Sequence, residues 1–166
     1  MNEHEFLAGK VLSCRRCQRL TQYVNKISNE KTRRFKEWDY WGKPLPSFGD
    51  PKASLLIIGL APGAHGANRT GRMFTGDSSG NWLFKALYQT GFASQPHSMD
   101  RNDGLKLNSA YISAVVRCAP PKNSPTPQEI TTCSEYLIEE LRLLKNVRVV
   151  ITLGEIAFKH YLKLAW

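Results

Sequence analysis

The stretch Leu55-Leu56-Ile57-Ile58-Gly59-Leu60-Ala61-Pro62-Gly63-Ala64-His65-Gly66-Ala67-Asn68-Arg69-Thr70-Gly71-Arg72-Met73-Phe74-Thr75-Gly76-Asp77 sets the fold class of the chain. Four consecutive apolar residues, Leu55 to Ile58, read as a short buried strand. The strand opens into a glycine-rich loop, and a helical pattern follows from about Asn81 to Thr90, closed by Gly91. A buried strand, a long loop and a helix form the first half of a parallel-sheet unit.

Two more units follow. Ala110 to Val116 is an apolar strand, leading through a proline-rich loop to Thr126-Pro127-Gln128-Glu129, a capping box with proline at the first helical position. Along that helix Ile130, Cys133, Leu137, Leu141 and Leu144 recur every three or four residues, which turns Cys133 inward. Val147 to Leu153 is a third strand, followed by Gly154 and a helical pattern from Glu155 to the end. Alternating strands and helices predict an α/β fold with parallel strands, and such sheets bind ligands beyond the carboxyl ends of their strands. The informative loops are therefore 59–80 and 117–126.

At 166 residues, 42% hydrophobic, the chain suits one domain over 1–166, with an N-terminal arm over 1–50 of different character. The arm carries a cysteine pair, the basic run Lys31 to Arg34 and an aromatic segment from Phe35 to Trp41. Lysine and arginine outnumber aspartate and glutamate by 23 to 14, a formal +9, which favours a polyanionic partner; an ordinary soluble basic protein fits as well. Residues 1–12 lack a signal peptide's apolar core and no run reaches membrane-spanning length, so the expectation is a cytoplasmic protein with no membrane partner.

In that reducing compartment Cys14, Cys17, Cys118 and Cys133 are free thiols or metal ligands. Cys14 and Cys17 form a C-x2-C corner that the distant pair could complete. Zinc and an iron–sulfur cluster both fit this spacing, and Cys118 and Cys133 could be plain core residues. Gly66 and Gly71 have the spacing of a phosphate loop, but Arg72-Met73 stands where lysine and a hydroxyl residue belong. Nucleoside triphosphate binding is thereby disfavoured.

Gly59-Leu60-Ala61-Pro62-Gly63, Asn68-Arg69-Thr70-Gly71-Arg72 and Phe74-Thr75-Gly76-Asp77, with the segments Tyr40 to Pro51 and Val116 to Asn123 and the four cysteines, resemble the type-b, or family 5, uracil-DNA glycosylases. The resemblance implies a three-layer α/β/α sandwich around a short parallel sheet, a [4Fe–4S] cluster on Cys14, Cys17, Cys118 and Cys133, and hydrolysis of the N-glycosidic bond of uracil in DNA. Leu60, where type-a enzymes carry glutamate, points to type b and to other deaminated bases such as hypoxanthine.

On that footing Phe74 is the stacking face for the base, Asp77 the carboxylate that activates water, and Asn123 a partner for the base edge or the water. Gly59, Ala61, Gly63, His65 and Asn68 line the pocket, and Arg69, Arg72 and Arg117 meet DNA phosphates. Each has a plainer reading: a core phenylalanine, a helix N-cap, a turn asparagine, a solvated histidine. Family members continue into a further strand and a His-Pro-Ser-like motif, whereas this sequence ends at Trp166. The expectation is therefore a truncated gene product or fragment; a monomer is expected separately, and a non-catalytic DNA-binding fragment or an iron–sulfur electron carrier are the alternatives.

Overall fold

The computed structural model describes residues 2–165. The N-terminal arm, expected only as a cluster-binding extension, is helical: α1 covers Glu3–Ser13 and α2 covers Gln18–Glu30. Asn2 and Glu5 form a capping box that starts α1, and the Cys14–Cys17 turn separates the two helices. Each helix buries only two residues, Leu7 with Val11 and Leu20 with Val24; the apolar stripe is weak along α1, whereas Leu20, Tyr23, Val24 and Ile27 of α2 fall at helical spacing.

The sheet begins with β1 (Phe48–Gly49) and β2 (Leu55–Gly59). After the single-turn α3 (Ala67–Thr70) and α4 (Ser78–Gln89) come β3 (Ala110–Ala114), α5 (Pro127–Leu143), β4 (Val149–Thr152) and α6 (Glu155–Ala165). The strand order is β1-β3-β2-β4. β2 pairs in parallel with β3, Leu55 opposite Ala110, and with β4, Leu55 opposite Val149. The expected purely parallel sheet needs one correction. β1 runs antiparallel to β3, Phe48 opposite Ile112, making the sheet mixed, and a two-residue strand carries no periodicity by which to detect it.

Period-two alternation divides the core between the two faces of the sheet. Leu56, Ile58, Tyr111 and Val115 pack with Leu7, Leu20, Tyr136, Leu137 and Ala157 from α1, α2, α5 and α6. On the other face Leu55, Ile57 and Ile112 pack with Phe84 and Leu87 of α4 and with Met73 of the loop. Helices on both faces of a sheet give the α/β/α arrangement. The capping box on α5 is present in full: the Glu129 amide donates to Thr126 Oγ1 at 3.2 Å and the Thr126 amide to Glu129 Oε2 at 2.8 Å.

One ion pair crosses the interior. Arg117, 1% exposed, donates to Glu140 Oε2 at 2.7 Å and to Ser113 Oγ at 3.0 Å, and also hydrogen-bonds Ser47. It ties the end of β3 to α5 and to the strand-entry segment before β1. Removing one partner of such a pair leaves a bare buried charge, so Glu140→Gln is expected to cost about 3–5 kcal/mol. The drop is read as a lowered urea midpoint with an unchanged slope. A midpoint within error of the parent would show that Arg117 finds compensation elsewhere.

Candidate active site

β2 and β3 end side by side at Gly59 and Ala114, and a cavity of about 210 Å³ opens there. It is lined by Gly59, Leu60, Ala61, Pro62 and Gly63 of the first loop, by Phe74, Asp77 and Ser79 further along, and by Asn123 from the loop after β3. Of the expected pocket residues, Gly59, Ala61, Gly63, Phe74, Asp77 and Asn123 thus meet at one cavity, at the carboxyl ends of the parallel strands.

The floor requires glycine. A Cβ at Gly59 would stand 2.6 Å from Phe74 Cζ, so the phenyl ring rests directly on the strand terminus. Phe74 itself has φ 51, the left-handed region, where a bulky side chain costs about 1–2 kcal/mol. The neighbouring chain enforces it. Thr75 is fully buried, its hydroxyl 2.6 Å from Ser98 Oγ and its carbonyl accepting from Thr70 Oγ1 at 3.0 Å. Gly76 N–H donates to the Ser98 carbonyl at 3.2 Å.

Asp77 is both N-cap and pocket residue. Its Oδ1 accepts the Gly80 amide at 2.9 Å, which starts α4, while Oδ2 lies against the glycine loop so closely that a Cβ at Gly66 would overlap it. The two readings of this aspartate are therefore compatible: the cap fixes the carboxylate at the pocket wall, beside the positive end of α4. Asn123 sits at the rim on a 3-10 turn, Pro121–Asn123, in which Lys122 and Asn123 both have φ 54. Consecutive left-handed non-glycine residues are strained, and such strain concentrates at functional sites.

His65 and Asn68 do not reach the cavity wall. His65 Nδ1 is 2.9 Å from the Tyr40 hydroxyl, and burial followed by the charge of Arg69 holds its pKa below the usual value. Asn68 is fully buried, its amide donating to the Ala64 carbonyl at 3.2 Å.

The three arginines expected to meet phosphates all turn inward. Arg69 donates to the His65 carbonyl at 2.7 Å and to the Gly76 carbonyl at 2.8 Å, with Phe35 and Trp38 rings 3.8 and 4.1 Å from its guanidinium carbon. It is a strut that joins the two ends of the loop. Arg72 makes a bidentate pair with Asp103 at 2.9 and 2.7 Å and donates to Thr75 Oγ1 and Ser98 Oγ. Arg117 is spent on Glu140, and none of the three is more than 4% exposed.

The four cysteines also converge. Cys14, Cys17, Cys118 and Cys133 line one small cavity between the α1–α2 turn, the end of β3 and α5. Burial, then the charge of the other thiols, pushes the Cys118 pKa up to about 12. Burial also raises Cys133, to about 11, against the opposing charge of Arg117. At Cys14 burial opposes ionisation, but the Arg16 amide, the Tyr136 hydroxyl and the Arg16 side chain hold the thiol below its ordinary value. Among the described residues no three such donors grip a single ion.

Residues 46–165 match the model of the uracil DNA glycosylase superfamily. The chain belongs to that superfamily. It is 45% identical to a type-5 uracil-DNA glycosylase of Pyrobaculum aerophilum, over 97% of this chain and 70% of the relative. It is 46% identical to the type-5 enzyme of Thermus thermophilus, over 95% and 71%, and 50% identical to that of Mycobacterium bovis, over 92% and 57%.

Within this superfamily member the residues that sequence reasoning missed are supports: Asp103, Ser98 and Tyr40, whose partners lie 31, 26 and 25 positions away. The Arg72–Asp103 pair gives a pH test. Burial alone would raise Asp103, but hydrogen bonds from Arg72 and the Leu105 and Met99 amides hold it at about 2. A carboxylate lowered on folding stabilises above its unfolded pKa of about 3.9 and loses that contribution as pH falls toward 2. Unfolding free energies of the parent and Asp103→Asn are expected to differ by roughly 2 kcal/mol above pH 4 and to converge toward pH 2. A pH-independent gap would mean that the pair does not titrate with folding.

Proposed function

We propose that this protein excises uracil from DNA, receiving the base, rotated out of its strand, in the cavity between Phe74 and Asn123. The observation that carries the reading is the joint presence on one cavity of a flat apolar ring, a fixed carboxylate and a side-chain amide, in a chain 45–50% identical to enzymes named type-5 uracil-DNA glycosylases. Extrusion costs a few kcal/mol, which stacking on Phe74 offsets in part.

In the reaction a water adds to C1′ of the deoxyribose while the N-glycosidic bond breaks. The bonding pair leaves with N1 of uracil, which is then protonated, and the sugar keeps the hydroxyl as an abasic site. Asp77 takes the proton from water and offsets the positive charge that develops on the sugar. Asn123 hydrogen-bonds the base edge or orients the water. The remaining lining is largely backbone and apolar side chain, Leu60, Ala61, Pro62 and Met73. Leu60, on the cavity wall where type-a enzymes carry glutamate, extends the proposal to other deaminated bases such as hypoxanthine.

Asp77→Asn keeps a capping side chain, so its stability should stay within a few tenths of a kcal/mol of the parent while uracil release falls at least 100-fold. Release is measured as alkali-labile sites in a uracil-containing oligonucleotide. Parent-like release by Asp77→Asn would remove the carboxylate from the mechanism, and no release by any version would sink the enzyme reading.

We further propose that the four cysteines hold a [4Fe–4S] cluster. Four thiols that converge on one small cavity, two on the C-x2-C turn and two from the end of β3 and α5, are suited to a cationic cage, which would ionise them. The resemblance of the four-cysteine set to that of the type-b enzymes favours a cluster over one zinc ion. The bound cluster would tie the N-terminal arm to the sheet, a structural service. Purified protein is expected to be brown, with about four irons and four sulfides per chain, and Cys17→Ser to lose both with a fall in melting temperature. One zinc per chain without sulfide would overturn the assignment.

A further inference from the structure

With Arg69, Arg72 and Arg117 committed inside the fold, some other part of the surface must hold the strand on either side of the pocket. The structure offers one candidate on each flank. On one side α4 begins at the pocket: Asp77 is its N-cap and Ser79 lines the cavity. One turn on, Trp82 is 76% exposed, more than any other large apolar side chain among the described residues.

Helical side chains lean toward the helix N-terminus, which inclines Trp82 toward the turn that carries Ser79. Three residues of helix advance about 4.5 Å along the axis, comparable with the roughly 3.4 Å between successive bases of a strand. The exposed Lys85 follows on the same face.

On the opposite flank Lys122 is exposed immediately before Asn123, on the strained turn that brings Asn123 to the rim. Neither Lys122 nor Lys85 makes an ion pair with any described residue. The left-handed backbone at Lys122 is costly for lysine, and nothing in the fold's own hydrogen bonding uses its ammonium.

We propose that these two flanks are the nucleic-acid contact surface. Trp82 stacks on the base next to the one in the pocket, and Lys122 pairs with a backbone phosphate on the other side. The inference rests on the glycosylase reading of the pocket and adds to it the path of the strand, from the Lys122 turn across the cavity to the exposed face of α4. An indole accepts any base, so Trp82 contributes affinity without sequence preference.

The test uses the full chain and a single-stranded oligonucleotide with one uracil. Affinity is measured by fluorescence anisotropy in the Asp77→Asn background across a salt series. Release is measured with Asp77 intact, from sub-saturating to saturating DNA. Trp82→Ala is expected to weaken binding roughly five- to a hundredfold with an unchanged salt slope, and Trp82→Phe to recover most of the loss. Lys122→Ala is expected to lower the slope of log affinity against log salt by about 0.7. Release by both single variants is expected to fall at sub-saturating DNA and to recover as DNA approaches saturation, the split that separates lost binding from lost chemistry.

Parent-like affinity and slope in both variants, with uracil release intact, would overturn the surface and leave the glycosylase reading standing. The expected binding losses in a protein that releases no base would support the surface and overturn the enzyme. A parent that neither binds the oligonucleotide nor releases uracil would overturn both. Melting temperatures of the variants exclude misfolding, which an exposed side chain on each flank makes a small concern.

Discussion

The Asp77 carboxylate and the glycine loop occupy adjoining space so tightly that a side chain at position 66 would have to push the carboxylate out of place. Much of the pocket follows from that contact. Because Asp77 caps α4 through the Gly80 amide, the carboxylate is fixed to a helix whose Phe84 is fully buried against the sheet. The loop must then fold around the carboxylate, and it leaves β2 at Gly59, the residue on which Phe74 rests. A carboxylate held by helix packing and backbone contact needs no rearrangement when charge develops beside it, which is the condition for electrostatic catalysis.

That arrangement costs backbone strain at Phe74, Lys122 and Asn123. The opposing contribution comes from buried polar struts. Arg69 spans the loop from the His65 to the Gly76 carbonyl, and Arg72 joins it to Thr75, Ser98 and Asp103. Buried ion pairs add little net stability over apolar packing, but alternative loop conformations would leave a guanidinium desolvated and unpaired. The arginines therefore act mainly by excluding competitors. A loop with five glycines between Gly59 and Asp77 has many competitors to exclude.

Local signals carried the readings that the structure reproduces. The capping box at Thr126 and Glu129, the apolar runs of β2, β3 and β4, and the spacing that buries Cys133 and Leu137 each lie within one element. The side chains that the structure places elsewhere than expected are those whose hydrogen-bond partners lie far away in sequence. An arginine in a glycine loop looks like a surface cation unless its acceptor is known, and Asp103 and Glu140 lie 31 and 23 residues from Arg72 and Arg117. His65 looked like a pocket residue because nothing near it in sequence identifies Tyr40 as its partner. α4 starts at Ser78 rather than at Asn81, since the cap that begins it belongs to the loop motif itself. The positive φ at Phe74 has no sequence signal, whereas asparagine at 123 is a residue type enriched in that region.

The pocket also gains from where its parts fall in the sheet. Every lining residue lies between Gly59 and Asn123, so none comes from β4 or α6. β4 nonetheless contributes indirectly. By pairing with β2 from Leu55–Val149 to Ile58–Thr152 it makes β2 an interior strand, hydrogen-bonded on both sides and buried at all five positions. An interior strand cannot slip by one residue without exposing its apolar face and breaking two ladders. The floor at Gly59 thus inherits the register of the sheet, and β3, locked to it in parallel, delivers Ala114 and the Lys122–Asn123 turn at the same level. Val149 and Ile151 on β4 remain 54% and 43% exposed, so this edge supplies register without adding equally to the core. Stability and pocket geometry therefore meet in the β2 register, and a change that breaks the β4 ladder is expected to disturb both.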